Sequence, residues 1–275
     1  MDLSTVTSFR RARGRGDLAL APGETVLAGG TWLFGEPQPE VTGLVDLTAM
    51  GWPDLEVSPA GLRIGATCSI ARLVRFARDG EAPAEWAATR MFPVAADALL
   101  ASFKIWNTAT VGGNIARAFA AAAMVSLATG LDGTAEVWTP DGGERTLPVA
   151  EIPARDGVST LRLGEVIRAI DLPARTLRSR FTLHRIALAE LGRSAAVVTG
   201  RADEDGAAVF VVTAATERPV VLWFPAAPSA TELAEAVRSA PGYFSDPLGA
   251  ADWRRAVSVV LAERARAELA GETRA

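Results

Sequence analysis

LAGGTWL at residues 27–33 and TATVGGN at residues 108–114 share one design: each ends a β-type run in a Gly-Gly pair that a small polar residue follows. Glycine permits positive φ and puts no Cβ in the way of a ligand that approaches the backbone. Successive amide N–H groups in such a bend form a concave anion site, which suits a diphosphate. Thr31, Thr110 and Asn114 can add side-chain hydrogen bonds. The two bends therefore predict a phosphate-binding site.

Neither bend matches a familiar nucleotide motif. The segments lack the G-x-G-x-x-G spacing of a dinucleotide fold and the Gly-Lys-Ser/Thr ending of a Walker A loop. Tight turns also use paired glycines, so spacing alone does not name the ligand.

Short strands and helices alternate irregularly around the bends. Alternating apolar residues predict strands at 24–27, 43–48 and 161–173 and hairpins at 55–66 and 134–149. Helical spacing predicts a helix at 70–80, capped by Ser69 and ended by Gly80. Two further helical patterns cover 85–101, where we expect Pro93 to break the helix, and 124–133.

The last third of the chain has a different order. The basic, proline-led segment PARTLRSR at 173–180 is typical of a linker, and residues 194–225 read as an antiparallel meander. Helices are predicted at 231–240 and 251–270, the second with Trp253, Ala256, Val257 and Val260 along its apolar side. The sequence thus predicts an α+β protein: a mixed domain to about residue 175 and a smaller antiparallel sheet covered by helices.

Composition excludes several classes of protein. The 275 residues are 49% hydrophobic and carry a net charge of −4, which excludes a disordered chain and disfavours a nucleic-acid surface. With Cys68 and His184 as the only cysteine and histidine, the chain cannot build an intrachain disulfide, an iron–sulfur cluster or a structural zinc site. The first residues lack the apolar core of a signal peptide, and no apolar run is long enough for a membrane span. We therefore expect a soluble, cytoplasmic protein.

Several conspicuous residues have ordinary structural readings. Cys68 reads as a small buried hydrophobe and His184 as a structural histidine. Arginines of the last helix read as a solvated face: Arg254, Arg255, Arg264 and Arg266.

A resemblance to a known family covers nearly the whole chain. The segments AGGTWL, LVDL, IGATCSI and ASFKIWNTATVGGNIA, followed by LGEVIRAIDLP and ADWRRAVSVVLAERARAEL, resemble in unbroken order the flavin-binding medium subunit of molybdenum hydroxylases. That family includes the xanthine dehydrogenase and carbon monoxide dehydrogenase types. The Thr-x-Gly-Gly-Asn core at 110–114 is the most specific piece.

The resemblance implies a fold and a cofactor site. Residues 1–175 would form a two-lobed FAD-binding domain of the vanillyl-alcohol-oxidase (PCMH) type, and residues 176–275 the smaller C-terminal α+β domain with an antiparallel sheet. FAD would lie between the lobes. The positions that match the family's cofactor contacts are Ala28, Gly29, Gly30, Thr31, Trp32 and Leu33 in the first bend, Thr110, Val111, Gly112, Gly113 and Asn114 in the second, and Arg185 near the isoalloxazine ring.

The resemblance also implies partners. Molybdopterin on a large subunit would oxidise the substrate, and two [2Fe-2S] centres on a small subunit would pass the electrons to FAD on this chain. Reduced FAD would deliver them to NAD, a quinone or another acceptor. No catalytic acid or base and no metal ligand is expected on this chain.

Departures from the family pattern leave two alternatives open. Where the family carries a Ser-Pro pair and then an aspartate, this chain has Phe119, Ala120 and Ala123, and Trp106 stands where an arginine is commoner. Trp32 also replaces a smaller polar residue, so Trp32 and Trp106 are either cofactor contacts or core residues. One alternative is a flavin-free paralogue that only scaffolds partner subunits; the other is a self-contained flavin oxidase.

Overall fold

The computed structural model describes residues 4–272, in which strands and helices follow one another in runs of several elements. The strands are β1 (Ser8–Arg11), β2 (Glu24–Leu27), β3 (Gly43–Asp46), β4 (Leu55–Ser58), β5 (Gly61–Gly65), β6 (Thr134–Trp138), β7 (Glu144–Pro148), β8 (Pro153–Arg155), β9 (Val158–Ser159), β10 (Val166–Pro173), β11 (Arg180–Ile186), β12 (Ala196–Ala202), β13 (Ala208–Thr213) and β14 (Val220–Phe224). The α-helices are α1 (Ile70–Arg78), α2 (Met91–Ala98), α3 (Phe103–Thr108), α4 (Val111–Ala116), α5 (Ala123–Gly130), α6 (Ala174–Arg178), α7 (Ala230–Ser239) and α8 (Ala251–Ala270). Short 3-10 helices lie at Arg15–Leu18, Leu47–Met50, Ala87–Arg90 and Val149–Glu151.

A small parallel sheet opens the chain. Its order is β1-β3-β2, with β3 buried between two partners. Both outer strands run parallel to β3, with Phe9 and Thr25 each opposite Leu44. The first bend leaves this sheet where β2 ends.

A five-stranded antiparallel sheet follows, in the order β4-β5-β10-β6-β7. The predicted hairpins are β4-β5 and β6-β7, and β10 inserts between them. Gly61, at the first hairpin turn, has φ +146° and packs against the Leu172 carbonyl, so a side chain there would clash. One large apolar core covers this sheet and α1, α2 and α5.

The last four strands form the predicted antiparallel meander, β11-β12-β13-β14. Phe181, Leu183 and Val197 belong to the first core, while Val198 and Phe210 join a second core with α7 and α8. The sheet is therefore covered on both faces. The fold is the mixed α+β architecture that the sequence predicts.

Ser69 caps α1 as the sequence predicts, and a second side-chain cap starts α7. Ser69 Oγ accepts a hydrogen bond from the Arg72 amide at 3.1 Å to start α1, and Gly80, with φ +75°, follows its end. Ser229 and Glu232 form a reciprocal capping box that starts α7. These contacts satisfy amides that a helix leaves unpaired at its first turn.

Two predictions about helix breaks are wrong. Pro93 does not interrupt a helix, because it is the third residue of α2, where its missing N–H would have had no helical acceptor. The segment PARTLRSR is not a linker: it forms α6, in which Leu177 is fully buried and Thr176 Oγ1 donates to the Leu131 carbonyl at 2.7 Å.

The predicted faces of α8 are also wrong. Val260 is 51% exposed, and the helix buries Ser258, Leu261, Ala262, Ala265 and Leu269 instead. Arg254, predicted to be solvated, is 1% exposed; it forms an ion pair with Asp246 and donates to the Ala214 carbonyl at 3.0 Å. An arginine that is paired with a carboxylate can be buried. The prediction placed every arginine of this helix on the solvent side, and the predicted apolar face was rotated as a result.

No helix among residues 4–272 combines the length and apolar character that a membrane crossing requires.

Candidate functional site

The structure brings the two glycine bends together. A Cβ built on Gly29 would lie 2.0 Å from the Thr108 carbonyl oxygen and 3.0 Å from the Ala109 Cα. The backbone of the first bend therefore touches the residues that lead into the second. Only glycine fits at position 29, and the reason is the close approach of two main chains.

The first bend leaves a run of backbone donors without backbone partners. Gly30 adopts φ +67°, and the chain turns so that the Phe34 amide donates to the Gly30 carbonyl at 2.8 Å. The amides of residues 28–33 donate to no backbone carbonyl within the described chain. All six residues are half-buried. Buried N–H groups normally find a partner, so this run has the donor set of an anion site.

The second bend is the start of a helix. The Thr110 Oγ1 accepts from the Gly113 amide at 3.0 Å and caps α4. The Val111 amide donates to the Cys68 carbonyl at 2.9 Å and the Gly112 amide to the Ala66 carbonyl at 3.0 Å. The prediction that this bend exposes main-chain amides is therefore wrong.

Packing explains the glycine and the asparagine of the second bend. A Cβ on Gly112 would lie 2.5 Å from the Ala66 Cβ, so this glycine serves the close packing of α4 on the turn after β5. Asn114 Oδ1 accepts from the Met124 amide at 2.9 Å and ties α4 to α5. A threonine followed by small residues is an N-cap signal, and that signal could have revealed the helix from the sequence.

An arginine that the sequence analysis missed joins the two bends. Arg117 directly follows α4, and its Cζ lies 3.5 Å from the ring centroid of Trp32 in the first bend. The same Cζ lies 4.8 Å from the ring centroid of Phe119, over which Arg193 also sits, at 5.1 Å. We call these four side chains the Trp32–Arg117–Phe119–Arg193 stack. The sequence gives no local signal for it, because Trp32 and Arg193 lie far along the chain from Arg117 and Phe119.

Arg117 has no counter-charge in the described part of the chain. Burial is the influence that shifts the pKa of its guanidinium, and it lowers that pKa. Its Nε is buried and has no hydrogen-bond partner among residues 4–272. A buried cation normally has an acidic partner, because removal from water is costly.

Two of the positions that depart from the family pattern are small and buried. Ala120 and Ala123 are 7% and 1% exposed. The Ala120 amide donates to Asp156 Oδ1 at 2.8 Å, so a carboxylate from the turn between β8 and β9 reaches the segment after Asn114. That carboxylate binds the backbone.

The two tryptophans differ in their surroundings. Trp32 lies in the first bend under the Arg117 guanidinium. Trp106, on α3, is half-buried against the large core, and its indole nitrogen is buried without a hydrogen-bond partner in the chain from residue 4 to residue 272. Of the two readings, the core reading suits Trp106.

Arg185 lies at the base of a loop that reaches the stack. Its Nη1 donates to the Gly192 carbonyl at 3.2 Å, and Arg193 follows immediately. Ser194 Oγ donates to the Ala98 carbonyl at 3.1 Å, which anchors the loop on α2. Arg185 thus contacts its own loop, and it is Arg193 that reaches Phe119.

His184 and Cys68 are engaged elsewhere. His184 Nε2 lies 2.9 Å from Glu268 Oε2 on α8, which is a structural contact. Cys68 is fully buried, and burial raises the pKa of its thiol to about 12, so the thiol stays protonated at neutral pH. Within residues 4–272 no three His, Cys, Asp or Glu side chains gather closely enough to hold a metal ion.

Comparisons with known proteins agree with this architecture. A family model described as the FAD binding domain in molybdopterin dehydrogenase matches residues 15–175, more than half of the chain. No curated protein sequence matches the chain.

Solved structures match over nearly the full length. Quinoline 2-oxidoreductase from Pseudomonas putida 86 is similar at 20% identity with a TM-score of 0.78, covering 96% of this chain and 97% of that chain. Carbon monoxide dehydrogenase from Hydrogenophaga pseudoflava, in a form lacking the Mo-pyranopterin moiety, is similar at 18% identity with a TM-score of 0.77. The match covers 94% of this chain and 95% of that chain. The cyanide-inactivated form of Cu,Mo-CO dehydrogenase is similar at 20% identity with a TM-score of 0.80. The match covers 95% of this chain and 99% of that chain. At these identities the likeness shows the fold.

Proposed function

The chain belongs to the family of FAD binding domains of molybdopterin dehydrogenases, and from this premise we propose that it works as the electron-transfer flavin subunit of a multi-subunit molybdenum hydroxylase. The run of unpaired amides in the first bend supports the proposal most directly. It lies within the matched residues and supplies the donors that a diphosphate needs.

The residues of the first bend suit the cofactor. We propose that the amides of residues 28–33 hold the diphosphate of FAD, with the Thr31 hydroxyl beside them. Gly29 lets this backbone lie against Thr108. The second bend would contribute through its position and through the side-chain Nδ2 of Asn114, whose Oδ1 accepts from the Met124 amide.

Bound FAD would supply the redox chemistry, taking single electrons from iron–sulfur centres and releasing a pair to an acceptor. This chain would bind the cofactor, orient it and exclude water from it. No side chain at the bends is needed to move a proton: the His184 ring contacts Glu268, and the Cys68 thiol is buried and protonated.

The finer assignments are proposals of the same kind. A large molybdopterin subunit and a small [2Fe-2S] subunit would complete a heterotrimer of the xanthine dehydrogenase type in the cytoplasm. NAD or a quinone would accept the electrons. The flavin-binding unit would comprise residues 1–175, and residues 176–275 would form the smaller C-terminal domain, with Arg185 near the isoalloxazine ring.

Equilibrium titration of the purified chain with FAD tests the proposal. Trp32 lies in the proposed site, so its fluorescence should fall as FAD binds. We expect saturable binding, a yellow complex after gel filtration, and release of FAD on denaturation. A chain that stays colourless at saturating FAD would contradict the proposal and favour the flavin-free scaffold. Oxidation of a small substrate by the chain alone would favour the self-contained oxidase.

A further inference from the structure

Arg117 is a cation that the protein holds without neutralising it. No ion pair and no hydrogen bond to its buried Nε is present among residues 4–272, and burial disfavours its charge. By contrast, the two arginines that are almost fully buried have acidic partners: Arg201 pairs with Asp132 and Arg254 with Asp246. Arg168, which lies over Trp52, also lacks an ion pair within the described chain, but the carboxylates of Glu136, Glu56 and Asp171 raise its pKa against the effect of burial. No carboxylate of the described residues acts in this way on Arg117.

Two aromatic rings from separate segments hold the Arg117 guanidinium beside the first bend. Trp32 contributes its ring face from the first bend, and Phe119 approaches from the segment after α4. Stacking uses the flat faces of the guanidinium and leaves its N–H donors free in the plane. Planar donors of this kind match the oxygens of a phosphate.

A helix C-terminus does not account for this arrangement. Arg117 follows α4, and a cation is favoured there, but that contribution is small and a solvated side chain would also provide it. The stack with Trp32 instead brings the charge to the bend whose amides lack backbone partners. The positive charge of Arg117 therefore lies beside the first bend.

We propose that Arg117 binds the diphosphate of FAD. Its guanidinium supplies the positive charge that balances the phosphates, which the uncharged amides of residues 28–33 do not carry. This inference rests on the proposed function. It also assigns a role to the Trp32–Arg117–Phe119–Arg193 stack: the two aromatic rings position the guanidinium, and Arg193 adds positive charge behind Phe119.

The inference predicts how affinity depends on the phosphates of the ligand. A charge-assisted contact to a phosphate group is worth about 10- to 100-fold in the dissociation constant. Arg117→Gln should weaken binding of FAD and of ADP, which carries the diphosphate without the flavin, by about that factor. Riboflavin has no phosphate, so its affinity should change less than about twofold.

Titrations of the purified full chain with FAD, ADP and riboflavin test this prediction, monitored by calorimetry and tryptophan fluorescence. Arg255→Gln is the matched control. Arg255 lies on α8, and its Cζ is 5.0 Å from the ring centroid of Tyr243, so this arginine also stacks on an aromatic ring. It should leave all three affinities unchanged. Arg117→Lys keeps the charge and should retain part of the FAD affinity. Circular dichroism verifies that each variant is folded.

Each result decides a separate question. Wild-type protein that binds none of the three ligands would overturn the proposed function. If the wild type binds FAD, and Arg117→Gln binds FAD and ADP as tightly as the wild type or more tightly, the proposed role of Arg117 is overturned. The stack would then be a group of side chains that blocks the site. If Arg117→Gln does not fold, the salt dependence of FAD binding to the wild type and to Arg117→Lys decides instead. An affinity insensitive to salt in both would contradict a phosphate contact.

Discussion

Gly29 and Gly112 occupy similar motifs and do different work. Gly29 allows two main chains to touch beside a run of amides without backbone partners, whereas Gly112 allows α4 to pack on Ala66. From the sequence, both could be predicted to bend the chain. Which bend keeps its amides free depends on Cys68 and Ala66, whose carbonyls come from a distant turn. Such long-range acceptors leave no local signature.

Gly29→Ala tests the role of the first bend. The new Cβ would lie 2.0 Å from the Thr108 carbonyl oxygen, so the backbone must shift. We expect a loss of roughly 1–3 kcal/mol in the free energy of unfolding and a weaker affinity for FAD. Urea denaturation and FAD titration measure the two effects. Gly16→Ala is the control, because a Cβ there meets nothing within 4 Å; equal effects from both substitutions would contradict the account.

At the level of elements, capping and turn chemistry were predictable and helix faces were not. Ser69 and Ser229 act through neighbours a few residues away, which the sequence displays. The buried side of α8 depends instead on Asp246, which lies in the loop before the helix and neutralises Arg254. Likewise, the sequence of α6 is typical of a basic linker, and it is the packing of Leu177 in the first core that distinguishes it from one.

Thr110→Ala tests whether the second bend is a helix start. Loss of the Oγ1 that accepts from the Gly113 amide should cost about 1 kcal/mol of stability. Thr110→Ser keeps a hydroxyl at that position and should restore most of the loss. Urea unfolding of the three proteins provides the measurement. Equal stability of the alanine variant and the wild type would show that the cap contributes nothing.

Across the whole molecule, one ion-pair network joins the helical core to the four-stranded sheet. Arg201 on β12 is 2% exposed; its Nη1 lies 2.8 Å from Asp132 Oδ1 and 2.7 Å from the Gly130 carbonyl at the end of α5. Its Nε lies 2.7 Å from Asp203 Oδ1. The ion pair between Arg201 and Asp132 thus links the two predicted domains. Because Asp132 and Arg201 are 69 residues apart, no local sequence pattern predicts their contact.

Arg201→Ala should therefore destabilise the entire chain. It leaves Asp132 without its buried partner, and we expect a loss of about 3–5 kcal/mol. Arg175→Ala removes an exposed partner of the same carboxylate and should cost less than about 1 kcal/mol. Thermal unfolding compares the two variants. A loss from Arg201→Ala as small as that from Arg175→Ala would contradict this role.

The same network makes stability depend on pH. Burial raises the pKa of Asp132, but the hydrogen bonds from Arg201 and Arg175 outweigh burial and hold that pKa below its usual value. A lowered pKa in the folded state means that the stabilisation is present above about pH 4 and is lost as the pH falls through the folded-state value. Urea unfolding between neutral and acidic pH should show this loss in the wild type. Arg201→Ala should show a shallower decline; an identical decline in both would contradict the linkage.

A crystal structure of the chain with FAD tests the central claim most directly. We predict diphosphate oxygens within about 2.7–3.2 Å of the amides of residues 28–33, with the Val111 and Gly112 amides still bonded to Cys68 and Ala66. A diphosphate bound elsewhere, with the amides of residues 28–33 facing only solvent, would contradict it.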